Sequence, residues 1–538
     1  MPFGGSHHGH AAIAKAEPAP PTTATGDDRI QPGAVMALVA MGLGVIVIAN
    51  DFTALNVALP AIEGDFNVDV GTAQWVINAY CVVFGMAIVT GGRLADLFGR
   101  RRAFFIGSAL FAGFSLLGGA APDSVWLIGA RVGMAIGAAL MWPAILGMTY
   151  AALPESRASM AGGLILGAAG IGNAMGPLLG GVLTDELSWR WIFFLNAPIG
   201  AFAVLVTWLK VHQPRPEVAE RRIDYPGIVT LSTGLLLILI AFDQAADWGF
   251  GDARVIAMLV VAAALVVGFR FIEPRMREGA LVPSDVIANG GFRSACLTVL
   301  LMSAVFFATV LYAPQFMEKI LGYSALKAGV GMLPMLGTFA LVSFFAGPGY
   351  ERFGPKATIA IGAAGLALGP YLLSLADAGS HYGALVSGLA VTGVGAGFFY
   401  PSVTTAGVTA LDPSRTSLAG GLIYMFQIAG GAIGLGITTT IFTLSSENDL
   451  ADKASAAGTH LNDHQTSVLH GVLAGTDSGT AALHQLGSSV QTTILTIVRE
   501  SFATGVQAGF RFVTIAAVLG FLISIFFVGY DANPTMIS

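Results

Sequence analysis

The sequence predicts an all-α membrane protein: two six-helix bundles plus two additional transmembrane helices, 14 spans in all. Three observations predict it. Of 538 residues, 55% are hydrophobic and only 11% are Asp, Glu, Lys or Arg, where soluble domains carry about 25% charged residues. Apolar stretches near 20 residues long recur throughout the chain, each enough as a helix to cross the roughly 30 Å hydrocarbon core. The second half of the chain also repeats motifs of the first at a nearly constant offset.

The elements follow in order. Residues 1–33 are Pro-, Ala- and His-containing and nearly uncharged. They are expected to form a disordered cytoplasmic tail, too polar and too long to open a cleaved signal peptide. His7, His8 and His10 belong to that tail rather than to a metal site. Apolar spans at about 34–59, 72–91, 103–121, 125–150, 158–183 and 190–209 make an N-terminal six-helix bundle, 34–209. Residues 210–291 read as a linker with two inserted spans, 226–243 and 254–272. Spans at about 292–316, 325–347, 357–376, 383–407, 416–443 and 507–530 make the C-terminal bundle, 292–530. That bundle includes a polar, Ser/Thr/Ala-rich extracellular loop, 444–506, with short helical patterns near 464–474 and 490–503. Residues 531–538 are expected to be a cytoplasmic tail.

Basic residues concentrate on one side of these spans, including Arg93, Arg100, Arg101, Arg102, Arg157, Arg222, Arg352, Lys356 and Arg415. Basic loops stay on the cytoplasmic side, so both termini are expected there. The 70 glycines fall inside apolar runs, where small residues let helices approach closely. Cys81 and Cys296 lie in predicted spans, so no disulfide framework or metal-type spacing is present. His460 and His464 have i, i+4 spacing but no nearby Cys or paired acids; no metal is expected. A net charge of −6 gives no reason to expect nucleic acid.

The duplication is specific. Gly92, Asp96 and Gly99 recur 255 positions later as Gly347, Glu351 and Gly354. Ser156-Arg157 and Ala161-Gly162-Gly163-Leu164-Ile165 recur 258 positions later as Ser414-Arg415 and Ala419-Gly420-Gly421-Leu422-Ile423, and Trp142-Pro143 becomes Tyr400-Pro401. Parallel duplicated halves with a site between them are a transporter architecture.

What is not duplicated points to chemistry. Asp51 interrupts the first span and Arg131 the fourth; the residue matching Arg131 is Leu389, and span 9 has no acid before Glu318. A charge at the membrane centre costs roughly 2.5–3.5 kcal/mol even on the lenient insertion scale. Asp51 lies nine residues before Pro60 and Arg131 eight after Asp123. At 1.5 Å per residue both sit roughly 12–14 Å inside the outer ends and can face each other. Asp51 is expected to carry the proton and Arg131 to tune it, since burial raises a carboxyl pKa and a nearby cation lowers it. A static structural ion pair is the competing reading.

Other candidates are less chemical. Gly92, Asp96, Gly99, Arg100 and Arg101, with Glu351 in the second copy, read as a tight hairpin at a membrane face whose charges make and break as the halves rock. Gly172, Gly176 and Gly180 form a small-residue stripe in span 5, joined by Pro177 and Gly181, and are expected to be a packing surface at which the bundles pivot. Gln74, Asn78, Trp142, Tyr312, Gln315, Tyr400, Tyr424 and Gln427 are candidates for a midplane cavity suited to a lipophilic or cationic guest.

The run from Gly92 to Arg102, G-x-L-A-D-x-x-G-R-R/K, resembles the signature loop between spans 2 and 3 of the major facilitator superfamily. The span-5 run G-x-x-x-G-P-x-x-G-G resembles the motif typical of its antiporters. With Asp51-Phe52-Thr53 and Asn56-Val57-Ala58-Leu59-Pro60 in span 1, Arg131 in span 4, Trp189 to Gly200 opening span 6 and Leu321 to Gly329 entering span 10, residues 34–530 resemble the fourteen-span drug/proton antiporter family. One departure is that Met134 and Ala135 stand where the span-4 motif continues with Gln-Gly. The resemblance implies a major facilitator fold and proton-driven export of amphipathic compounds across the bacterial cytoplasmic membrane. It implies no cofactor beyond the proton as coupling ion. Small amphipathic molecules or lipids are the expected partners, and a monomer is the expected state.

One charge moved through 100 mV yields about 2.3 kcal/mol, enough for a useful substrate gradient. No Walker-type phosphate loop is present, which argues against direct ATP drive. An exporter of a lipid, glycolipid or metabolite on the same fold is the alternative. A membrane-embedded enzyme lacks a nucleophile–base set here, and a sensor on a transporter scaffold would not need Asp51 and Arg131.

Overall fold

Lipid offers the backbone no hydrogen-bond partner, so apolar runs cross it as helices that satisfy themselves. The computed structural model describes residues 32–68, 70–210, 223–276, 279–456 and 488–527. Six helices come first: α1 (Pro32–Phe66), α2 (Val70–Phe98), α3 (Arg100–Gly119), α4 (Ser124–Ala152), α5 (Ala158–Glu186) and α6 (Arg190–Lys210). Then come α7 (Tyr225–Trp248), α8 (Ala253–Met276), the short α9 (Ser284–Ala288), α10 (Gly290–Lys319) and the short α11 (Ala325–Gly331). The last four are α12 (Leu333–Leu373), α13 (Tyr382–Thr409), α14 (Thr416–Ala456) and α15 (Ser488–Phe527). Among the described residues, 13 helical segments are long and apolar enough to span a membrane. The tenth and eleventh expected spans form one of these, bent at Gly354. The fold is therefore the all-α arrangement of about 14 spans expected from the sequence.

The two copies pack as reciprocal halves. α1–α6 pack among themselves, as do α10 and α12–α15, and the halves meet where α2 touches α14 and α5 touches α12. A Cβ on Gly92 would lie 2.6 Å from the Ser417 carbonyl oxygen, and one on Gly347 3.0 Å from Met160 Cα. Likewise Gly163 faces the Ser343 carbonyl at 2.6 Å and Gly421 the Ile88 carbonyl at 2.9 Å. Each contact joins residues whose counterparts make the other contact, so the sequence repeat becomes a two-fold relation in space. No side chain larger than hydrogen fits at such backbone-to-backbone crossings.

The inserted pair docks through α7, which lies on α2 and α14. Leu239 and Ile428 both abut Gly85, and Ser232 Oγ donates to the Met86 carbonyl at 3.0 Å. At its foot, buried Asp224 caps α7 by accepting from Gly227 N–H (2.8 Å) and also from Leu281 N–H (3.3 Å). Buried Glu273 accepts from Val282 N–H. These two carboxyl groups pin the strand of chain that leads to the second half. α8 leaves Val260, Val261, Val267 and Phe271 on its outer surface, a face for lipid. On α9, Asp285 pairs with Arg415, which holds its carboxyl below the ordinary carboxylate range.

Several boundaries differ from the sequence reading. Helix α1 continues through Pro60 to Phe66, and Asp65 near its end accepts from Arg190 and from Trp189 Nε1. The segment 92–98 is not a hairpin but the last turns of α2; the chain reverses only at Gly99, with φ 105°. The matching Gly354 has φ 81°, again a conformation glycine alone adopts cheaply. α14 and α15 run well into the expected loop 444–506, because its flanks are helix formers that pair. Lys453 bridges Asp449 (2.8 Å) and Glu500 (3.0 Å), and Ser501 Oγ donates to Asp449. Residues 1–31 and 528–538, the linker residues 211–222, His7, His8, His10, His460 and His464 lie outside the described residues, and the last two residues of the expected tail 1–33 already open α1.

Replacing Gly354 with Ala forces a side chain into that positive-φ turn and is expected to cost about 1–3 kcal/mol. Gly337, in the same helix with open space at its Cβ position, is the control: Gly337→Ala is expected to be neutral or stabilising. Thermal unfolding of the detergent-purified variants checks the pair.

Candidate functional site

Asp51 on α1 and Arg131 on α4 are both fully buried and form a direct ion pair. Arg131 Nη1 donates to Asp51 Oδ2, and Arg131 Nε donates to the Val76 carbonyl of α2 at 2.8 Å. The guanidinium lies over the Tyr80 ring, 4.1 Å from its centroid, a cation–π contact strengthened by the absence of water. On the other side of the acid, Asn196 Nδ2 on α6 reaches Asp51 Oδ1 at 3.4 Å and Ser115 Oγ on α3 at 3.2 Å. Ser115 Oγ in turn donates to the Phe193 carbonyl at 2.8 Å. Five helices thus converge on one carboxylate. Two ions taken out of water each lose several kcal/mol of solvation, and only good geometry with further hydrogen bonds offsets that.

The sequence reading found the pair and missed its supports. Asn196 and Ser115 are lone polar residues in apolar runs, and that was the available signal. Met134 and Ala135, at the positions usually Gln and Gly in the resembling family, are fully buried and apolar. The polar shell is built instead from α3 and α6.

The switch residues meet at the arginine-rich face. Buried Asp96 accepts from the backbone N–H groups of Leu418 (2.8 Å) and Ser417 (3.3 Å), near the start of α14. Unsatisfied N–H groups at a helix start attract an anion. Arg100 Nε pairs with Asp96 at 3.1 Å; the same guanidinium donates to the Gly147 carbonyl of its own half (3.1 Å) and reaches across to the Pro413 carbonyl (2.7 Å). Arg101 donates to the Trp208 carbonyl at 2.8 Å, within its own half. In the second copy Ser159 Oγ donates to Glu351 at 2.5 Å. One clasp therefore joins α2 to α14 and its twin joins α12 to α5.

The span-5 glycines divide between two tasks, correcting the single pivot surface expected. Gly172 and Gly180 abut the Ile46 and Ala54 carbonyls and Gly176 abuts Thr53, all on α1 of the same half. Thr53 Oγ1 donates to the Asn173 carbonyl at 3.1 Å, locking that seam. Pro177 and Gly181 instead meet Gly329 and Leu326 on α11. The crossing to α12 and α13 of the other half is made by Gly162, Gly163, Gly167 and Gly170, facing Pro401, Ser343, Phe344 and Ala340.

The tentative cavity residues do not converge on one chamber. Trp142 and Tyr424 do meet, ring centroids 4.4 Å apart, and Tyr424 also stacks edge-on to Phe84 at 5.6 Å, joining α2, α4 and α14. Tyr312 instead bonds Thr439 (2.8 Å) and packs on Phe442. Tyr400 is buried against Phe306, Phe339 and Phe399. Both serve packing within the second half. Gln315 and Gln427 are half-buried and Gln74 is exposed. Asn78 faces Asp243 on α7, an acid the sequence reading passed over at the end of a span.

Breaking the central pair on one side strands a buried charge. Asp51→Asn and Arg131→Gln are each expected to destabilise the protein by about 3–5 kcal/mol, and the double variant by much less than their sum; chemical unfolding in detergent measures the cycle. Asp96→Ala removes the acceptor of the α14 N–H groups and is expected to lengthen the distance between spin labels on the ends of α2 and α14.

A sequence model described as Major Facilitator Superfamily matches residues 41–435. The puromycin resistance protein pur8 of Streptomyces alboniger is 32% identical over 78% of this chain and 84% of its own length. The cephamycin export protein CmcT of Amycolatopsis lactamdurans is 31% identical over 79% and 88%. The multidrug resistance protein Stp of Mycobacterium tuberculosis (strain CDC 1551 / Oshkosh) is 30% identical over 76% and 75%. Among solved structures, the human organic anion transporter MFSD10 matches with a TM-score of 0.62 at 14% identity. That match covers 92% of this chain and 100% of the other, and shows the fold alone.

Proposed function

We propose, from the premise that the chain belongs to the Major Facilitator Superfamily, that it is a proton-coupled antiporter exporting lipophilic or cationic small molecules by alternating access. It is a multi-pass membrane transporter and not an enzyme. Relatives named for puromycin resistance, cephamycin export and multidrug resistance support drug efflux as its task. The arginine-rich face is then cytoplasmic, with both termini on that side of a bacterial cytoplasmic membrane.

The single observation that carries proton coupling is the fully buried Asp51–Arg131 pair, present in one copy of a duplicated scaffold. Protonating Asp51 abolishes its charge and dissolves the pair. Arg131 keeps the Val76 carbonyl and the Tyr80 ring, so it holds position while α1 is released. Rocking of the halves at the reciprocal glycine crossings then exchanges access, and losing the proton restores the pair. On this reading the Asp96 clasp, which joins α2 to α14, is a latch of the cytoplasmic face. The Trp142–Tyr424 contact between halves is the part of the tentative cavity best placed to meet a flat apolar cargo.

Proteoliposomes with an imposed pH gradient test this. Wild-type protein is expected to move cationic dyes only with the gradient, and Asp51→Asn to fall to background while still folded. Gradient-independent dye export would defeat the antiport mechanism; movement of native lipids without dyes would favour a lipid exporter on the same scaffold.

A further inference from the structure

We propose that Asp243 selects positively charged cargo, as the charged member of a recognition site that the inserted helix pair adds beside the first half; the proposal rests on the exporter reading above. α7 is otherwise strongly apolar, and Asp243 lies near the outer end of its candidate span Tyr225–Ala245, just after the apolar run. An acid inside a spanning helix is costly and marks a functional position by default.

The geometry suits an ionised acceptor of positive charge. Asn78 Nδ2 on α2 donates to both Asp243 oxygens, at 3.1 and 3.3 Å, and Gln244 Nε2 donates to Oδ2 at 3.0 Å. Donors at both oxygens favour the carboxylate, which only accepts. These amides fix its orientation, and each carboxylate oxygen has lone pairs enough for a further donor.

Position separates this acid from Asp51. Asn78 lies two residues from Val76, whose carbonyl holds Arg131, and Cys81 is within electrostatic reach of Asp51, Arg131 and Asp243. Both acids therefore act at one level of α2. Asp51 is fully buried and closed off by Arg131, whereas Asp243 and Asn78 are half-buried and Gln74, one turn from Asn78, is exposed. This half-exposed side of Asp243 and Asn78, with Gln74 beside it, is the approach assigned to a cargo group.

The surroundings suit a lipophilic cation. Phe242 and Phe250 meet edge-to-face at 5.6 Å beside Asp243, and ring faces attract cations. The Phe242 carbonyl abuts Gly436 of α14. The site therefore stands where α2 and α14, members of opposite halves, share α7 as a neighbour. Rocking of the halves changes this junction, so a cation held there is held differently in the two access states.

Purified wild-type protein, Asp243→Asn and Asp243→Glu are compared for binding and proteoliposome transport of ethidium, a lipophilic cation, and chloramphenicol, a neutral amphipath. Asp243→Asn is expected to weaken ethidium binding 10- to 100-fold more than chloramphenicol binding, with Asp243→Glu recovering much of the difference. Equal losses for both probes, or no loss for ethidium, would overturn the proposal while leaving export intact. Wild-type transport of chloramphenicol but not ethidium overturns it too. Wild-type protein that moves neither probe overturns the exporter reading and this inference together.

Discussion

A membrane interior without water sets the terms for every polar group in this chain. The Asp51–Arg131 pair meets those terms with contacts from α1, α2, α3, α4 and α6. That convergence organises the first half: five helices must hold register for one carboxylate to be tolerated. The second half has Leu389 in place of the arginine, packs aromatic rings around Tyr400, and has no such obligation. The molecule is symmetric in scaffold and asymmetric in chemistry.

The scaffold's symmetry is itself a consequence of glycine. Close crossings of α2 with α14 and of α5 with α12 bring backbone atoms within van der Waals contact, without interlocking side chains. Such smooth seams let two helices shift against each other at small cost. At one end of the seams the Asp96 and Glu351 clasps add polar contacts between the halves, which the proposed rocking would break and re-form. Packing that slides and hydrogen bonds that latch are complementary parts of one moving interface.

Much of this was legible in the sequence, for particular reasons. Span number and the buried pair were readable because hydropathy and misplaced charge are local signals. The repeat was readable because glycine positions dictate backbone approach, and the matching positive-φ turns at Gly99 and Gly354 follow from it. Partnerships across distance were not readable. Nothing in the spacing of Asn196 or Ser115 says which acid they serve. Asp243 sits at the edge of its apolar run, where an acid looks interfacial until α2 is seen beside it. The cavity residues were grouped by residue type, and types do not reveal that Tyr312 and Tyr400 turn toward their own half. The stripe on α5 likewise carries no mark of which neighbour it meets.

Helix α14 has 41 residues and no proline, about 60 Å of continuous rod at 1.5 Å per residue. Its first turn is gripped by Asp96, its third turn touches Trp142, and its far end is braced to α15 through Lys453. A tilt imposed at the gripped end is magnified along the shaft and arrives at the opposite water as a swing of the braced tip. Under the alternating-access reading proposed above, the tip becomes a mechanical read-out of the clasp, displaced on the far surface when the near surface opens.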